Sequence, residues 1–398
     1  MDNLHENNEK EFTKNIKHNL TEKQIKKSLN ASTLDGAAYS VMAGIGDNYI
    51  PAYVIALNAN NFIVGLATAV PQILAGFSQI IVKKISSRIS KRKEFVIKTA
   101  TLHAFFWFII FAFSLFSEIN NQVHALIIVA FFGLAFSFAT MGNPVWASWM
   151  SDLVPESIRG TYFGKRNGIA MIALVFGILL GGLILNYLEP ILFIRAFSIL
   201  FLIAALARII SIIMLNEMEE VENLSITSDL HLNELIHSEK WKLGRNVILF
   251  IGLINFTTNI GAPYFSVYML RDLKLDYFHF MTLTLAAVVT KFFSMPYWGK
   301  LCDKLGNKFV LTATGLMIPI IPLLWLFSNN LDYLYIIQFF SGFVWGGFEI
   351  VSFNYVLSVA HRDKKVAFIA IYNFVNYSMV FLGALIGGIL ISLLEDVV

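Results

Sequence analysis

Eleven apolar runs dominate this chain, and each is long enough to cross a ~30 Å hydrocarbon core as a helix. They lie at Ala37–Leu57, Phe62–Val82, Phe95–Phe116, His124–Trp149, Asn167–Leu188, Ile191–Leu215, Val247–Leu270, Phe278–Trp298, Phe309–Phe327, Leu331–Leu357 and Ala367–Leu394. Composition agrees. Of 398 residues, 57% are hydrophobic and only 14% charged, where soluble domains place charge on about a quarter of their positions. Folded in water, the chain would expose apolar surface that it could not cover. An all-α integral membrane bundle is the fold class that follows.

The spans fall into two groups. Residues 1–36 read as a mixed-charge cytoplasmic tail, in which Thr21–Leu29 has at most the makings of a short surface helix, and no apolar signal segment precedes the first span. A six-span half, 37–215, is separated from a five-span half, 247–398, by a polar linker, 216–246. The linker is acidic first (Glu217, Glu219, Glu220) and basic last (Lys240, Lys242, Arg245). Lys and Arg concentrate in alternate loops: Lys83, Lys84, Arg88, Lys91, Arg92 and Lys93 after span two, Arg159, Lys165 and Arg166 after span four, Lys300, Lys304 and Lys308 after span eight, and Arg362, Lys364 and Lys365 after span ten. The opposite loops hold little beyond Arg271 and Lys274. The positive-inside rule therefore places the N-terminus and these loops in the cytoplasm, with the chain multi-pass in the cell membrane. The single cysteine, Cys302, falls in one of the basic loops and excludes a disulfide framework.

The halves repeat each other. Asn167, Gly177, Gly181, Gly182, Leu188 and Glu189 recur at one offset as Asn373, Gly383, Gly387, Gly388, Leu394 and Glu395, and Pro51 has a counterpart in Pro263. Glu189 leads directly into span six, whereas Glu395 is followed by Val398 and the end, so a twelfth span is missing and truncation is the expected reason. Paired repeats of this kind build secondary transporters with a site near the midplane.

Between spans eight and nine stands Trp298-Gly299-Lys300-Leu301-Cys302-Asp303-Lys304-Leu305-Gly306-Asn307-Lys308. Gly299 lacks a side chain and admits a close neighbour, Asp303 suits the positive N-terminus of another helix, and Gly306 permits a sharp reversal. The spacing Gly-x-x-x-Asp-Lys-x-Gly-x-Lys resembles the signature loop of the major facilitator superfamily. The loop Ser151-Asp152-Leu153-Val154-Pro155-Glu156-Ser157-Ile158-Arg159-Gly160, with Tyr162 to Asn167, resembles the span four-to-five loop of bacterial members. The first copy of the signature is degraded: Ser87 stands in place of Asp and Ser90 in place of Gly, with Arg88, Lys91 and Arg92 surviving. The resemblance implies two pseudo-symmetric halves that rock about a midplane site. It also implies a gating loop of Gly299, Asp303, Lys304, Gly306 and Lys308, with Asp303 resting near Val366–Phe368 when the cytoplasmic side is closed.

Ionisable side chains at membrane depth are costly unless they face a partner or a wet cavity. Asp47 in span one, Lys291 in span eight and Glu349 in span ten stand out, as a proton or cation site with a counter-charge or, more blandly, as structural ion pairs. Arg195 and Arg208 flank span six and read as interface anchors, and His103 as a satisfied polar contact. Polar stripes at helical spacing mark span two (Thr68, Gln72, Gln79), span seven (Asn255, Thr258, Asn259) and span eleven (Tyr372, Asn373, Asn376, Tyr377). Under the repeat, Asp47 matches Asn259, and Asn143 matches Glu349. The candidate substrate- and proton-binding set is Asp47, Gln72, Asn143, Asn255, Asn259, Lys291, Glu349, Asn373 and Asn376, with interhelical hydrogen-bond glue as the structural alternative.

No phosphate-binding loop, metal-ligand spacing or nucleophile elbow occurs, so the chain reads as neither an enzyme nor a cofactor or metal protein, and its small positive charge implies no nucleic acid. Secondary transport of a small solute by a monomer in the lipid bilayer, with protons or another ion as coupling partner, is the expected function. Export of lipophilic cations is the nearest alternative, since Asp47-x-x-x-Pro51 and the glycine faces of spans five and eleven weakly resemble drug antiporters. A non-transporting receptor and a truncated paralogue are the others.

Overall fold

The computed structural model describes residues 20–85, 91–115, 121–155, 158–220, 232–359 and 365–395. Ser87, Arg88 and Ser90 of the first loop copy, and Arg362 and Lys364 of the loop after span ten, lie outside the described residues. The described elements are helical, and ten helices among them are long and apolar enough to cross a membrane.

The first crossing is not among those ten, for a physical reason. Helix α1 (Glu22–Ile45) starts well before the apolar run, at a capping box in which the Thr21 side chain accepts from the Gln24 backbone N–H and Gln24 reaches back to the Thr21 backbone N–H. It stops at Gly46, passes through a 3₁₀ turn at Asp47–Tyr49 and resumes as α2 (Ile50–Ala56) with Pro51 in its first turn. Residues 22–36 are thus helix rather than mobile tail, and Ile25, Ser28, Leu29, Ser32 and Asp35 are buried.

Helices α3 (Asn61–Ile85), α4 (Arg92–Ser114), α5 (Asn121–Leu153), α6 (Arg159–Leu192) and α7 (Ala196–Asn216) complete the first half. A short α8 (Leu232–His237) and a 3₁₀ turn at Glu239–Trp241 lead into α9 (Lys242–Val267), which loosens to a π turn at Tyr268–Asp272. Helices α10 (Tyr277–Leu305), α11 (Asn307–Met317), α12 (Ile320–Leu324), α13 (Leu331–Val359) and α14 (Lys365–Glu395) follow. The predicted ninth span is the pair α11–α12, broken before Pro319, which has no N–H to continue the ladder. Most other predicted boundaries fall close to the helix ends. However, α6 starts at Arg159, well before the predicted Asn167, and reaches Leu192, past the predicted start of span six at Ile191, and α10 continues to Leu305, past the predicted Trp298.

The linker begins as a clamp. Lys27 meets Glu217 at 2.6 Å, the Glu219 N–H donates to Ser28 Oγ at 3.0 Å, and the Trp149 indole N–H donates to the Glu219 carbonyl at 3.0 Å. Glu220 accepts from the Lys93 backbone N–H at the start of α4, where a carboxylate complements the helix dipole. The Glu217 carboxylate raises the Lys27 pKa, chiefly through its hydrogen bond, and Lys27 lowers that of Glu217 in return. The pair is solvent-exposed and contributes little to stability. What Glu217 contributes is present above the usual carboxylate range and fades as the pH falls through its depressed value.

The two halves use the same close-packing device. A Cβ on Gly177 of α6 would lie 2.7 Å from the Val41 carbonyl of α1, and one on Gly383 of α14 would strike the Phe256 carbonyl of α9. Next to these, the Tyr49 hydroxyl of the first half donates to the Ile178 carbonyl at 2.6 Å, and Tyr264 of the second half donates to the Ala384 carbonyl at 3.4 Å. Ile178 and Ala384 are related by the repeat offset. Backbones therefore touch where glycine removes the side chain, and a buried tyrosine bridges each seam.

Across the halves, α3 packs along α14 and α6 meets α10. Contacts concentrate on the side opposite the basic loops. Arg271 donates to Asn61 Oδ1 at 3.0 Å and to the Ala59 carbonyl, Phe197 meets Tyr277 edge-on at 5.4 Å, and a Cβ on Gly388 would lie 3.3 Å from Phe62. Toward the basic side the α3–α14 seam continues to Gly76 beside Phe374 and Tyr377. There, however, Gly164 and Gly168 of α6 and Gly299 of α10 meet nothing within 4 Å of a built Cβ. The halves are joined most extensively along α3–α14, and α6 meets α10 over less of its length, at Gly182 and Met281 among other places.

Gly306, which separates α10 from α11, adopts φ +82° and ψ 151°. Only glycine tolerates that region well. Gly306→Ala is expected to destabilise the protein by roughly 1–3 kcal/mol, read as a lower melting temperature of the detergent-purified protein; an unchanged melting temperature contradicts the strained-turn assignment.

Candidate functional site

Charged and polar side chains gather at membrane depth in both halves, in different surroundings. In the first half they form a buried cluster built by α1, α4, α5, α6 and α7. Asp35 is 5% exposed and lies 3.6 Å from the Arg166 guanidinium of α6. Gly36 makes that approach possible, since a Cβ there would come within 2.8 Å of Arg166 Cζ. Arg166 donates Nε–H to the Ser32 carbonyl at 3.1 Å, and its guanidinium carbon stands 4.3 Å from the centroid of the Trp146 ring. The Asp35 carboxylate also accepts from Ser211 Oγ at 2.6 Å, and Ser211 accepts from Arg208 Nη1 at 2.7 Å. Arg208 is only 7% exposed and stands 4.9 Å over the Tyr39 ring.

Arg208 is the correction to the sequence reading. It is not an interface anchor but a buried cation at the centre of the first half, within electrostatic reach of Asp35, Tyr39, Asp47 and His103. Its position inside an apolar run of α7, many residues from either end, was a readable signal. Asp35 carried a weaker one, because it precedes the hydropathy boundary of the first run. Asp47 sits in the 3₁₀ turn, half-buried, and its Oδ1 is buried with no hydrogen-bond partner among the described residues. His103 accepts from the Trp107 indole N–H at its Nε2, 3.0 Å away, which places the ring proton on Nδ1. It is a polar contact, but not the fully satisfied one expected, because Nδ1 is buried with no partner among the described residues.

A cavity of about 180 Å³ opens against this cluster, lined by Asp35, Tyr39, Thr99, Asn143, Trp146, Arg166 and Arg208 among others. Asn143, from the expected set, is exposed; Trp146 is half-buried; Thr99 and Arg208 are buried. The walls thus run from an accessible rim to a charged floor.

The second half carries the other expected residues in a more open setting. Lys291 of α10 and Glu349 of α13 form an ion pair at 3.0 Å, with side chains 31% and 45% exposed. The Asn255 amide of α9 donates to Asn376 Oδ1 of α14 at 2.7 Å, and Asn259 donates to the Asn255 carbonyl in its own helix at 2.8 Å. Gln72 on α3 and Asn373 on α14 are half-buried. Gln79 serves as interhelical glue, donating to the Thr140 carbonyl of α5 at 2.9 Å. The first-half cluster and the Lys291–Glu349 pair belong to separate halves, and no contact joins Asp47 to either member of that pair among the described residues.

In the expected gating loop, Asp303, Lys304 and Lys308 are exposed. The Asp303 carboxylate makes no hydrogen bond or ion pair among the described residues, and the contact expected near Val366–Phe368 adjoins residues 360–364, which lie outside them. Of the basic residues surviving in the first copy, Arg92 is buried and pairs with Asp152 of α5 at 2.6 Å.

This architecture has relatives among solved structures. It superposes on a point mutant of the nucleoside transporter NupG with a TM-score of 0.74 at 10% identity, covering 91% of this chain and 90% of that one. A bacterial homologue of the iron transporter ferroportin, in an inward-facing state, matches with a TM-score of 0.67 at 13% identity over 93% and 92% of the two chains. A bacterial homologue of the human lysosomal transporter Spinster, inward-facing and unoccupied, matches with a TM-score of 0.65 at 12% identity over 94% and 82%. At these identities the likeness is one of fold. No curated protein matches the sequence. The Major Facilitator Superfamily profile matches residues 36–384, nearly all of the two-half bundle described above, and the chain belongs to that superfamily.

Proposed function

We propose that this protein is a secondary active transporter that moves a small solute by alternating access, coupled to protons, with its basic side in the cytoplasm. The observation that carries this reading is the asymmetry of the seam between halves: α3 packs along α14 far more extensively than the repeat-related α6 packs on α10, and Gly164, Gly168 and Gly299 on the basic side meet nothing within 4 Å. A bundle whose halves rock about a midplane site has such a state and its inverse. Under the positive-inside rule the present arrangement is the state open to the cytoplasm. The half-exposed Lys291–Glu349 pair adds support, because charges at membrane depth persist where water or a substrate reaches them. The three named structural relatives are transporters, which supports the class and not the solute.

Asp47 is the residue assigned to the coupling proton. It lies at the break in the first crossing, where movement of α1 against α2 alters its surroundings, and its Oδ1 has no partner among the described residues to hold it ionised. Asp47→Asn is expected to abolish uphill accumulation in proteoliposomes while sparing solute exchange; proton-driven accumulation at the wild-type level rejects the role.

Asp303 is assigned to the opposite state, where it docks at the start of α14 and holds the cytoplasmic side shut. Asp303→Asn is expected to slow turnover several-fold with solute affinity retained. A loss of affinity at unchanged turnover would refute the gate.

Arg271 holds the external side closed through Asn61 and the Ala59 carbonyl. Arg271→Ala shifts the population toward the outward-open state. In a Cys302→Ser background, a cysteine replacing Tyr277 is expected to react several-fold faster with an impermeant maleimide once Arg271 is removed; equal rates contradict the latch.

A further inference from the structure

Arg208 is a buried guanidinium without an ion pair among the described residues. Its only side-chain hydrogen bond among them goes to Ser211, and its Nε–H is buried with no partner. The nearest carboxylate in that chain of contacts, Asp35, is already engaged by Ser211 and Arg166. A desolvated cation left in this condition is costly unless an anion completes its surroundings. It lines the 180 Å³ cavity whose rim is accessible at Asn143.

The local charges identify the missing group. Asp35 is one carboxylate shared by two guanidinium groups, Arg166 directly and Arg208 through Ser211, and His103 is neutral because its Nε2 accepts a hydrogen bond from the Trp107 indole N–H. Tyr39 of α1 faces Arg208 as a neutral ring, and Tyr49 is occupied by the Ile178 carbonyl. What remains is Asp47, which does not line the cavity but carries a buried, unpartnered Oδ1 at the break in the first crossing of the same half. When Asp47 is ionised the cluster is neutral; when Asp47 is protonated it carries one uncompensated positive charge. One charge calls for a monoanion. The Arg208 fork suits a carboxylate, and the Tyr39, Ala139 and Trp146 walls suit a small apolar body.

We infer that the cavity between α1, α4, α5, α6 and α7 binds a small organic monocarboxylate on Arg208, and that this anion and the Asp47 negative charge exclude each other. Each carboxylate bound therefore takes up one proton, giving proton–carboxylate symport. Binding itself is independent of the transport reading, and only the symport rests on it.

The test uses the detergent-purified full chain and three matched probe pairs: benzoate with benzamide, nicotinate with nicotinamide, and lactate with lactamide. At saturation a bound ligand raises the melting temperature by mass action. At least one carboxylate is expected to stabilise the protein by several degrees while its neutral amide does not. In weakly buffered solution, binding above the Asp47 titration is expected to take up about one proton per carboxylate. Arg208→Lys keeps the charge and loses the fork, and is expected to weaken binding by about tenfold. Asp47→Asn is expected to bind without proton uptake. Stabilisation by amide and acid alike, no response to any of the acids, or an Arg208→Lys protein of wild-type affinity overturns the site; binding without proton uptake in the unmutated protein overturns the coupling. Carboxylate binding without flux in proteoliposomes counts against the transporter reading alone. Flux of a neutral solute that is indifferent to Arg208→Lys counts against the monocarboxylate site alone.

Discussion

Close backbone approach is the constraint on which the rest of this structure depends. Lipid offers helices no hydrophobic reason to associate, so contact has to come from packing and from polar groups satisfied between helices. Gly177 against Val41, and Gly383 against Phe256, bring backbones together at equivalent places in the two halves, and Tyr49 and Tyr264 tie those seams through repeat-related carbonyls. The same glycine runs continue onto the surface between halves, where Gly182 faces Met281 and Gly388 faces Phe62. Packing within a half and closure between halves are therefore made of one set of residues. The rocking motion proposed above would have to keep the first while breaking the second.

Much of this was legible in the sequence. Apolar runs locate helices because lipid permits no other local structure, and the shared offset from Asn167–Glu189 to Asn373–Glu395 exposes the repeat without any contact being known. Gly306 was readable as a reversal, since its neighbours demand a turn that only glycine enters. The start of the first helix was not legible from hydropathy, because residues 22–36 are polar in composition and still half-buried; the Thr21–Gln24 capping box was the local signal. Partnerships were harder still. Lys291 and Glu349 were each visible as misplaced charges, but their pairing is set by how α10 crosses α13. Arg208 was misread because a charge in a span looks the same whether it reaches toward an interface or turns inward toward Asp35 and Tyr39.

The two copies of the loop signature illustrate a related limit. By sequence the first is degraded and the second intact. In this conformation, though, the surviving Arg92 of the first is buried against Asp152, whereas Asp303 of the second faces solvent. A signature records the residues a motion needs at some stage of its cycle. How complete a signature is by sequence therefore does not say which of its residues are buried and paired.

The asymmetry of charge between halves follows the same logic. In the first half the charges are buried and Arg208 has no ion pair among the described residues, so a change of one proton or one ligand charge is weakly screened and acts on its neighbours strongly. In the second half Lys291 and Glu349 are part-exposed and pair directly with each other. A coupling step needs one protonation to matter to one ligand, and that favours the dry cluster. A surface that solutes wet and leave tolerates the open pair. The pseudo-symmetric backbone thus carries two electrostatic environments, and the buried one, with Arg208 at its centre, is where a charge change has the greater mechanical consequence.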